Sequence, residues 1–273
     1  MIVKHSFNMK NIFLIMCLFL LFPFVKPIYA TPEILITQSG EMDKVVFDGK
    51  WTNILEWKQS SWDQVPTPNG YTLHIRTAHQ DDFIYILLDV VGEQSFDHIS
   101  DMAMICFDGL NDKTSIPGAD DYCFSTSLTS KQGFVYQGGS SLGFNGNFKK
   151  IQNSDGFIGV GGVSDENDKY SIIPHVGYEF KIPMNIFGRS DVYGFYVLVY
   201  DANNHMYISW PPEISPKDSH SIPSPANWGT LVSPDKSIPE FELPTIALII
   251  SIILATYFTR YLQKQKEIRF TLK

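Results

Sequence analysis

Short strand-like segments separated by turn residues dominate the middle of the chain. They are rich in β-branched and aromatic residues, and Gly, Asp, Asn and Pro stand between them. Helical periodicity is nearly absent, apart from a turn near 52–57 and a short helical segment at 183–187. Many strands without intervening helices predict an all-β fold, an antiparallel β-sandwich of the jelly-roll or immunoglobulin-like kind. Segment 83–91 is apolar on both alternations, which predicts a central strand covered on both faces.

The charges are distributed unevenly along the chain. The formal net charge is −8, but residues 1–30 carry three lysines and no acid, and residues 260–273 carry a net +4. The segment between them therefore carries −15. Since a phosphate-binding surface needs clustered Lys and Arg, we do not expect nucleic acid as a partner.

The first 30 residues have the features of a secretory signal peptide. Lys4 and Lys10 accompany an apolar run at 11–24 that is too short to span a bilayer comfortably, and 28–30 is a permissive cleavage site. We expect cleavage after Ala30 and export of the chain that follows. An uncleaved N-terminal anchor is the alternative.

A second apolar segment lies near the other end. Residues 243–259 are uncharged and are followed by the basic segment 260–273. A helix of this length spans about 25 Å, slightly less than the hydrocarbon core. The basic flank predicts one transmembrane helix with a cytoplasmic tail, joined through a stalk at 233–242 to an extracellular domain at 31–232.

The tripeptide Pro239-Glu240-Phe241, the apolar span and the basic tail occur together. In combination they resemble the PEF-type C-terminal anchors of archaeal exported proteins. The resemblance implies attachment of the ectodomain to the cell membrane. In some members of that family a sortase-like enzyme replaces the tail by lipid, but the tail here is longer than is usual there.

Cys106 and Cys123 are the cysteines of the predicted ectodomain, each within a strand-like segment. An even number of cysteines in an oxidising compartment favours a disulfide, and a loop of this length would stabilise the fold by about 3 kcal/mol. Two buried free thiols are the alternative, because pairing requires both side chains on the same face of a sheet.

Several features follow one another in order across residues 43–232. They are Asp48-Gly49 with Trp57, the strand, acidic turn and strand at 77–85, the strand end 105–108 with Asn111-Asp112, the segment 178–183, and Trp228-Gly229. This order resembles the family-nine carbohydrate-binding modules and their DOMON-like relatives. The resemblance implies a β-sandwich whose members bind sugars, bind haem or have no known ligand.

The tryptophans divide into two groups. We expect Trp57 and Trp228 to pack in the core, because Trp is highly buried on average. Trp210 lies where a strand gives way to a Pro-rich loop, and Trp62 lies in a polar segment. Because aromatic faces stack on the C–H surfaces of sugars, Trp62 and Trp210 are the candidate ligand-binding platform, and packing at the rim of the fold is the alternative.

Acidic residues are concentrated on one predicted loop system. Ca²⁺ takes 6–8 oxygen ligands and tolerates irregular geometry. The family-nine resemblance implies structural calcium, while solvated turns in an acidic protein are the alternative. Histidines at metal-ligand spacing are absent from the sequence, so a transition-metal site is not expected. The candidate calcium ligands are Asp108, Asn111, Asp112, Asp120 and Asp121.

Catalytic signals are weak. The pattern Gly-Ser-Ser-Leu-Gly at 139–143 matches a nucleophile elbow, but no helix-forming segment follows it. Asp81 and Asp82 are adjacent, so on a strand they would point to opposite faces. We therefore expect a non-enzymatic protein.

The sequence favours a cell-surface, membrane-anchored module that binds a glycan or another cell-surface polymer. One alternative is a haem-binding, DOMON-like electron carrier, with Met102 or Met104 and His74 or His175 as axial ligands. The other is a structural or adhesion protein without a small ligand.

Overall fold

The computed structural model describes residues 31–67, 69–141, 147–212, 214, 216, 221–234, 252–254 and 256–257. Three short 3₁₀ segments occur among them, at Met42–Lys44, Met184–Ile186 and Pro225–Asn227. The strands within the described part of the chain are β1 (Glu33–Leu35), β2 (Thr37–Gln38), β3 (Ser61–Pro66), β4 (Thr72–Gln80), β5 (Phe83–Val91), β6 (Met102–Asp108), β7 (Asp121–Ser127), β8 (Phe134–Gln137), β9 (Lys149–Ile151), β10 (Ile158–Val163), β11 (Val176–Pro183), β12 (Val192–Asp201), β13 (Met206–Trp210) and β14 (Gly229–Val232).

These strands form two sheets. The eight-stranded sheet has the order β1-β14-β12-β6-β7-β8-β9, with β13 paired to β12. The six-stranded sheet has the order β10-β11-β5-β4-β2, with β3 paired to β4. Only β1–β14 and β2–β4 are parallel among the described strand pairs. The prediction of an all-β, mainly antiparallel sandwich is confirmed.

Alternate residues of the two sheets form the core between them. Ile86 and Leu88 of β5 face this core, and so do Ile105 and Phe107 of β6. Strand β5 is buried along residues 84–90, because β4 and β11 flank it and side chains cover both of its faces. The predicted central position of this segment is therefore confirmed.

The segment before β3 covers the outer face of the six-stranded sheet. Trp57 is fully buried there, so its predicted packing role is confirmed, although it lies outside the sheet and not between the sheets. The buried members of this outer layer are Met42, Val45, Trp51, Trp57, Ala78, Tyr85 and Leu87.

Glu179 holds this covering segment to the sheet. Its Oε2 accepts hydrogen bonds from the backbone N–H of Asp48 (2.9 Å) and Gly49 (2.8 Å), and its Oε1 accepts one from Trp57 Nε1 (2.9 Å). Gly49 has φ +85°, and a Cβ there would lie 2.1 Å from the backbone nitrogen of Gly162. The Asp-Gly turn is thus required for both its backbone conformation and its close approach to β10.

A second outer layer covers the eight-stranded sheet. Cys106 and Cys123 lie directly opposite each other on β6 and β7 and form the predicted disulfide, with an S–S distance of 2.02 Å. Trp228 is buried in the same layer beside Tyr196 and Phe148, which confirms its predicted packing role.

Several sequence predictions fall outside the described residues. The signal peptide at 1–30, most of the stalk at 233–242, most of the apolar span at 243–259 and the tail at 260–273 belong to this group. Residues 252–254 and 256–257 are helical. Within the part of the chain that the structure describes, no helix has both the length and the apolarity needed to span a bilayer.

Candidate functional site

Strand β3 carries Trp62 on the outer face of the six-stranded sheet. Val65 of this strand points into the core, so Trp62 and Gln64 point the other way. Trp62 lies opposite Arg76 of β4, and Gln64 lies opposite His74. The indole is 49% exposed, which is unusual for a side chain of this size and leaves it accessible to a ligand.

Trp62 belongs to a layer of roughly parallel rings. His74 stacks on Tyr170 with a centroid separation of 3.8 Å and an interplanar angle of 3°. Trp62 is inclined by 22° to His74 and by 20° to Tyr170, at 5.9 and 6.4 Å. We call Trp62, His74, Arg76 and Tyr170 the aromatic platform.

The imidazole of His74 is neutral in this layer. Burial, together with the charges of His175 and Arg76, lowers the pKa of His74 to about 4. Its Nδ1 accepts a hydrogen bond from Trp62 Nε1 at 3.1 Å, which requires an unprotonated nitrogen. Geometry and electrostatics therefore agree that His74 orients Trp62 without adding charge.

Arg76 supplies the positive charge of the platform. Its guanidinium carbon lies 5.8 Å from the ring centroids of both Trp62 and Tyr170 and 5.2 Å from that of Trp51. Its Nε donates to the Tyr170 hydroxyl at 2.6 Å, and one terminal nitrogen donates to the Ser60 carbonyl at 3.2 Å. These contacts fix the guanidinium against the rings and hold Tyr170 over the sheet.

Trp210 does not join Trp62, and its predicted place in a ligand-binding platform is wrong. It is 7% exposed and packs in the core between the sheets against Phe195, at a centroid distance of 5.8 Å. Its side chain occupies space that Gly229 leaves free, since a Cβ on Gly229 would lie 2.3 Å from the indole. Trp62 alone of the two predicted residues remains available to a ligand.

The partners of Trp62 in the aromatic platform were not predicted from the sequence. The alternation of β4 could have placed His74 and Arg76 on one face, opposite the apolar Leu73 and Ile75. Tyr170 lies in an irregular segment before β11, so no periodic pattern marks it.

The predicted calcium ligands gather at one end of the β6–β7 pair. Asp108 ends β6 and Asp121 begins β7, and the two lie directly opposite each other. Carboxylate oxygens of Asp108, Asp112 and Asp120 lie within 4.8 Å of one another. Asn111 Oδ1 and Asp121 Oδ1 are buried without a hydrogen-bond partner. We call these five residues the Asp108 cluster.

The carboxylates of the Asp108 cluster repel one another because they lie close together and are partly buried. Burial, together with the Asp108, Asp120 and Asp112 carboxylates, raises the pKa of Asp121 to about 7. The ammonium of Lys113 donates to the carbonyl of Trp228 at 2.9 Å, and its charge is attracted by the Asp108 and Asp121 carboxylates. Like charges opposite each other in a sheet destabilise it, so a bound cation would relieve the repulsion.

The predicted haem ligands lie on opposite sides of the sandwich. Met102 and Met104 point to the outer face of the eight-stranded sheet, whereas His74 and His175 lie on the outer side of the six-stranded sheet. Sheets that pack face to face are about 10 Å apart, so the two outer faces are farther apart still. A methionine and a histidine of these pairs therefore cannot bind one iron, and this part of the haem alternative is wrong.

A cavity of about 430 Å³ opens near the ends of β2 and β14. Its walls mix polar and apolar side chains about equally, with His79, Asp81 and Arg189 beside Ile36 and Met184. It contains none of the residues predicted to bind a ligand or a metal.

No family model matches this chain, and no curated protein matches it. Among solved structures, the chain is similar to a carbohydrate-binding module of family 9 from Caldicellulosiruptor kristjanssonii in complex with cellotriose, at 13% identity and a TM-score of 0.44. It is also similar to that module in complex with glucose, at 14% identity and a TM-score of 0.45. The matches cover 76% of this chain and 98% and 99% of the modules. At this degree of similarity the likeness does not extend to function.

Proposed function

We propose that the chain is a non-catalytic glycan-binding module and that the aromatic platform is its binding surface. The observation that carries the proposal is the half-exposed indole of Trp62, held by a hydrogen bond to a neutral histidine and layered with Tyr170. A fixed, accessible ring offers a flat apolar face to the C–H surface of a sugar at little conformational cost.

Polar groups beside the ring would supply orientation. Gln64 is exposed on the same face and strand as Trp62, and the Arg76 guanidinium lies against the rings. An amide and a guanidinium donate hydrogen bonds, which suits the hydroxyl and ring oxygens of a sugar. The platform therefore combines one stacking surface with donors at its edge.

A glycan array probed with the wild-type protein, W62A and F134A tests the proposal. Phe134 is a matched control, because it is a 42% exposed aromatic residue on the other sheet with Lys150 Nζ 3.5 Å from its ring centroid. We expect the wild type and F134A to bind the same glycans and W62A to lose at least about tenfold in affinity, the equivalent of about 1.5 kcal/mol of stacking. A wild-type protein that binds no glycan would refute the function, and undiminished binding by W62A would refute the site.

The Asp108 cluster is the proposed structural Ca²⁺ site. The support is the pair of buried, unpartnered oxygens of Asn111 and Asp121 beside three converging carboxylates. Oxygen donors of this kind and number suit Ca²⁺. Isothermal titration with CaCl₂ should show one site that D121N weakens, and a wild-type protein that takes up no Ca²⁺ would contradict it.

Export and anchoring of the module at the cell membrane are part of the proposal and rest on the charge and hydropathy of segments 1–30 and 243–273. Protease treatment of intact cells tests this orientation. An epitope in the β-sandwich should be digested and one at the C-terminal end protected, and protection of both would contradict an extracellular module.

A further inference from the structure

A second polar cluster lies on the outer side of the six-stranded sheet, apart from the Asp108 cluster. Asp89 of β5 and His175, which precedes β11, are each 1% exposed, and the Asp168 side chain reaches them from the loop between β10 and β11. One ligand atom from each of the three residues lies within 4.8 Å of the others. We call Asp89, Asp168 and His175 the His175 cluster.

Three atoms of this cluster are buried without a hydrogen-bond partner. They are Asp89 Oδ1, Asp168 Oδ2 and His175 Nε2. Nε2 lies 2.5 Å from Asp89 Oδ1 and 3.7 Å from Asp168 Oδ1, but neither approach has hydrogen-bond geometry. Buried polar atoms are nearly always satisfied, so an unpartnered atom on each of three neighbouring side chains indicates a missing common partner.

The other nitrogen of His175 fixes the direction of the ring. Nδ1 lies 2.8 Å from the carbonyl oxygen of Ile173 and 2.9 Å from Ser164 Oγ. Because a carbonyl can only accept, Nδ1 carries the hydrogen, and the lone pair of a neutral ring lies on Nε2, which faces the carboxylates. A metal-binding histidine is commonly oriented in this way, by donation from its other nitrogen to a carbonyl.

Within the described part of the chain, the side chain that pairs with both carboxylates is the imidazole of His175 itself. Among the described residues, no lysine or arginine nitrogen forms an ion pair with Asp89 or Asp168. One imidazolium can balance only one of the two carboxylates, and a buried negative charge that is left unbalanced is costly. A divalent cation would neutralise both carboxylates and would replace the proton on Nε2, whose lone pair it would accept.

We propose that Asp89, Asp168 and His175 bind a divalent first-row transition cation such as Zn²⁺. One imidazole and two carboxylates match the borderline character of Zn²⁺ better than the all-oxygen preference of Ca²⁺. Ligand atoms of a tetrahedral Zn²⁺ site are about 3.3 Å apart, given bonds of about 2.0–2.1 Å. The 3.7 Å between His175 Nε2 and Asp168 Oδ1 is close to this value. The 2.5 Å between His175 Nε2 and Asp89 Oδ1 would reach it if the two atoms moved apart by less than about 1 Å.

The cation would also fix a loop of the aromatic platform. Asp168 Oδ1 accepts hydrogen bonds from the backbone N–H of Tyr170 (2.7 Å) and of Ser171 (3.3 Å). A metal bound by Asp168 would therefore anchor the turn that positions Tyr170 against His74. The cation site itself does not depend on glycan binding, so its test is separate.

The test is equilibrium dialysis of the full-length protein, stripped of metal, against Zn²⁺ in a buffer that contains excess Ca²⁺ to fill the Asp108 cluster. We expect one tightly held equivalent of Zn²⁺. H175Q and D89N should each weaken binding by about 100-fold or more, since loss of an outer-shell partner alone costs about 10- to 100-fold. H98A is the matched control, because His98 is exposed, and it should bind like the wild type.

NMR of ¹⁵N-histidine-labelled wild type keeps the test decisive if the variants do not fold. Zn²⁺ should shift the Nε2 resonance of His175 and leave that of His98 unchanged. Retention of no Zn²⁺ by the wild type overturns the proposal, and so does Zn²⁺ binding that shifts other histidines but not His175. Full binding by a folded H175Q or D89N overturns it as well.

Discussion

Replacing both cysteines of the Cys106–Cys123 disulfide by alanine should lower the free energy of unfolding by about 3 kcal/mol. The sequence separation of the two residues is 17, and the chain-entropy relation for a loop of this length gives about 10.5 cal/mol/K, or about 3 kcal/mol at 25 °C. Both residues are fully buried, so lost packing adds to this value and does not offset it.

Urea unfolding followed by tryptophan fluorescence measures the effect. With a slope of about 2 kcal/mol/M, the midpoint should fall by about 1.5 M. A reducing agent should lower the wild-type midpoint in the same direction and leave that of the double variant unchanged. Glycan binding should be preserved in the folded double variant, because the disulfide lies on the eight-stranded sheet and the aromatic platform on the other. Equal midpoints for the wild type and the double variant would refute the reasoning.

Three further perturbations address buried charge, the cation and the backbone. Burial, together with the Asp201 carboxylate, raises the pKa of Glu93 from 4.5 to about 7, so between these pH values the folded state binds a proton that the unfolded state has lost. The free energy of unfolding should therefore fall as pH rises from 4.5 to 7. Urea titrations at both pH values should show a smaller fall for E93Q than for the wild type, and equal falls would contradict this reasoning. Excess CaCl₂ should raise the thermal midpoint of the metal-free protein more at pH 8 than at pH 5.5. Burial and neighbouring carboxylates raise the pKa of Asp121 to about 7, so Asp121 is ionised at the higher pH and then repels Asp108 unless Ca²⁺ is bound. A CaCl₂ effect that is independent of pH would count against this. G49A should lower the free energy of unfolding by more than about 2 kcal/mol in urea titrations, because φ +85° and the contact with β10 both exclude a Cβ. A midpoint equal to that of the wild type would show that the turn adapts.

Local patterns predicted the features that depend on neighbouring residues in sequence. The doubly apolar segment 83–91 became the buried central strand β5 because both of its alternations carry large apolar side chains. Cys106 and Cys123 pair because they lie opposite each other on strands joined directly in sequence. Trp57 and Trp228 are buried, as the large apolar area of tryptophan favours.

Features that depend on distant parts of the chain were not predictable. Trp210 ends β13, as its predicted position at a strand end implies, but its side chain packs beside Gly229 of the distant strand β14 and not on the surface. The His175 cluster requires Asp89 of β5 and His175 to be neighbours, which follows only from the pairing of β5 with β11. No spacing of histidines and carboxylates in the sequence reveals that pairing.

Titration of ¹⁵N-tryptophan-labelled protein with the glycan that binds best, followed through the indole N–H resonances, tests directly whether the sugar binds at Trp62. The aromatic platform predicts a saturable shift of the Trp62 Nε1–H resonance, since this group lies within the ring layer and donates to His74. The Trp210 resonance should stay in place, because that indole is buried between the sheets. Saturable binding without a shift at Trp62 would show that the sugar binds elsewhere on the protein.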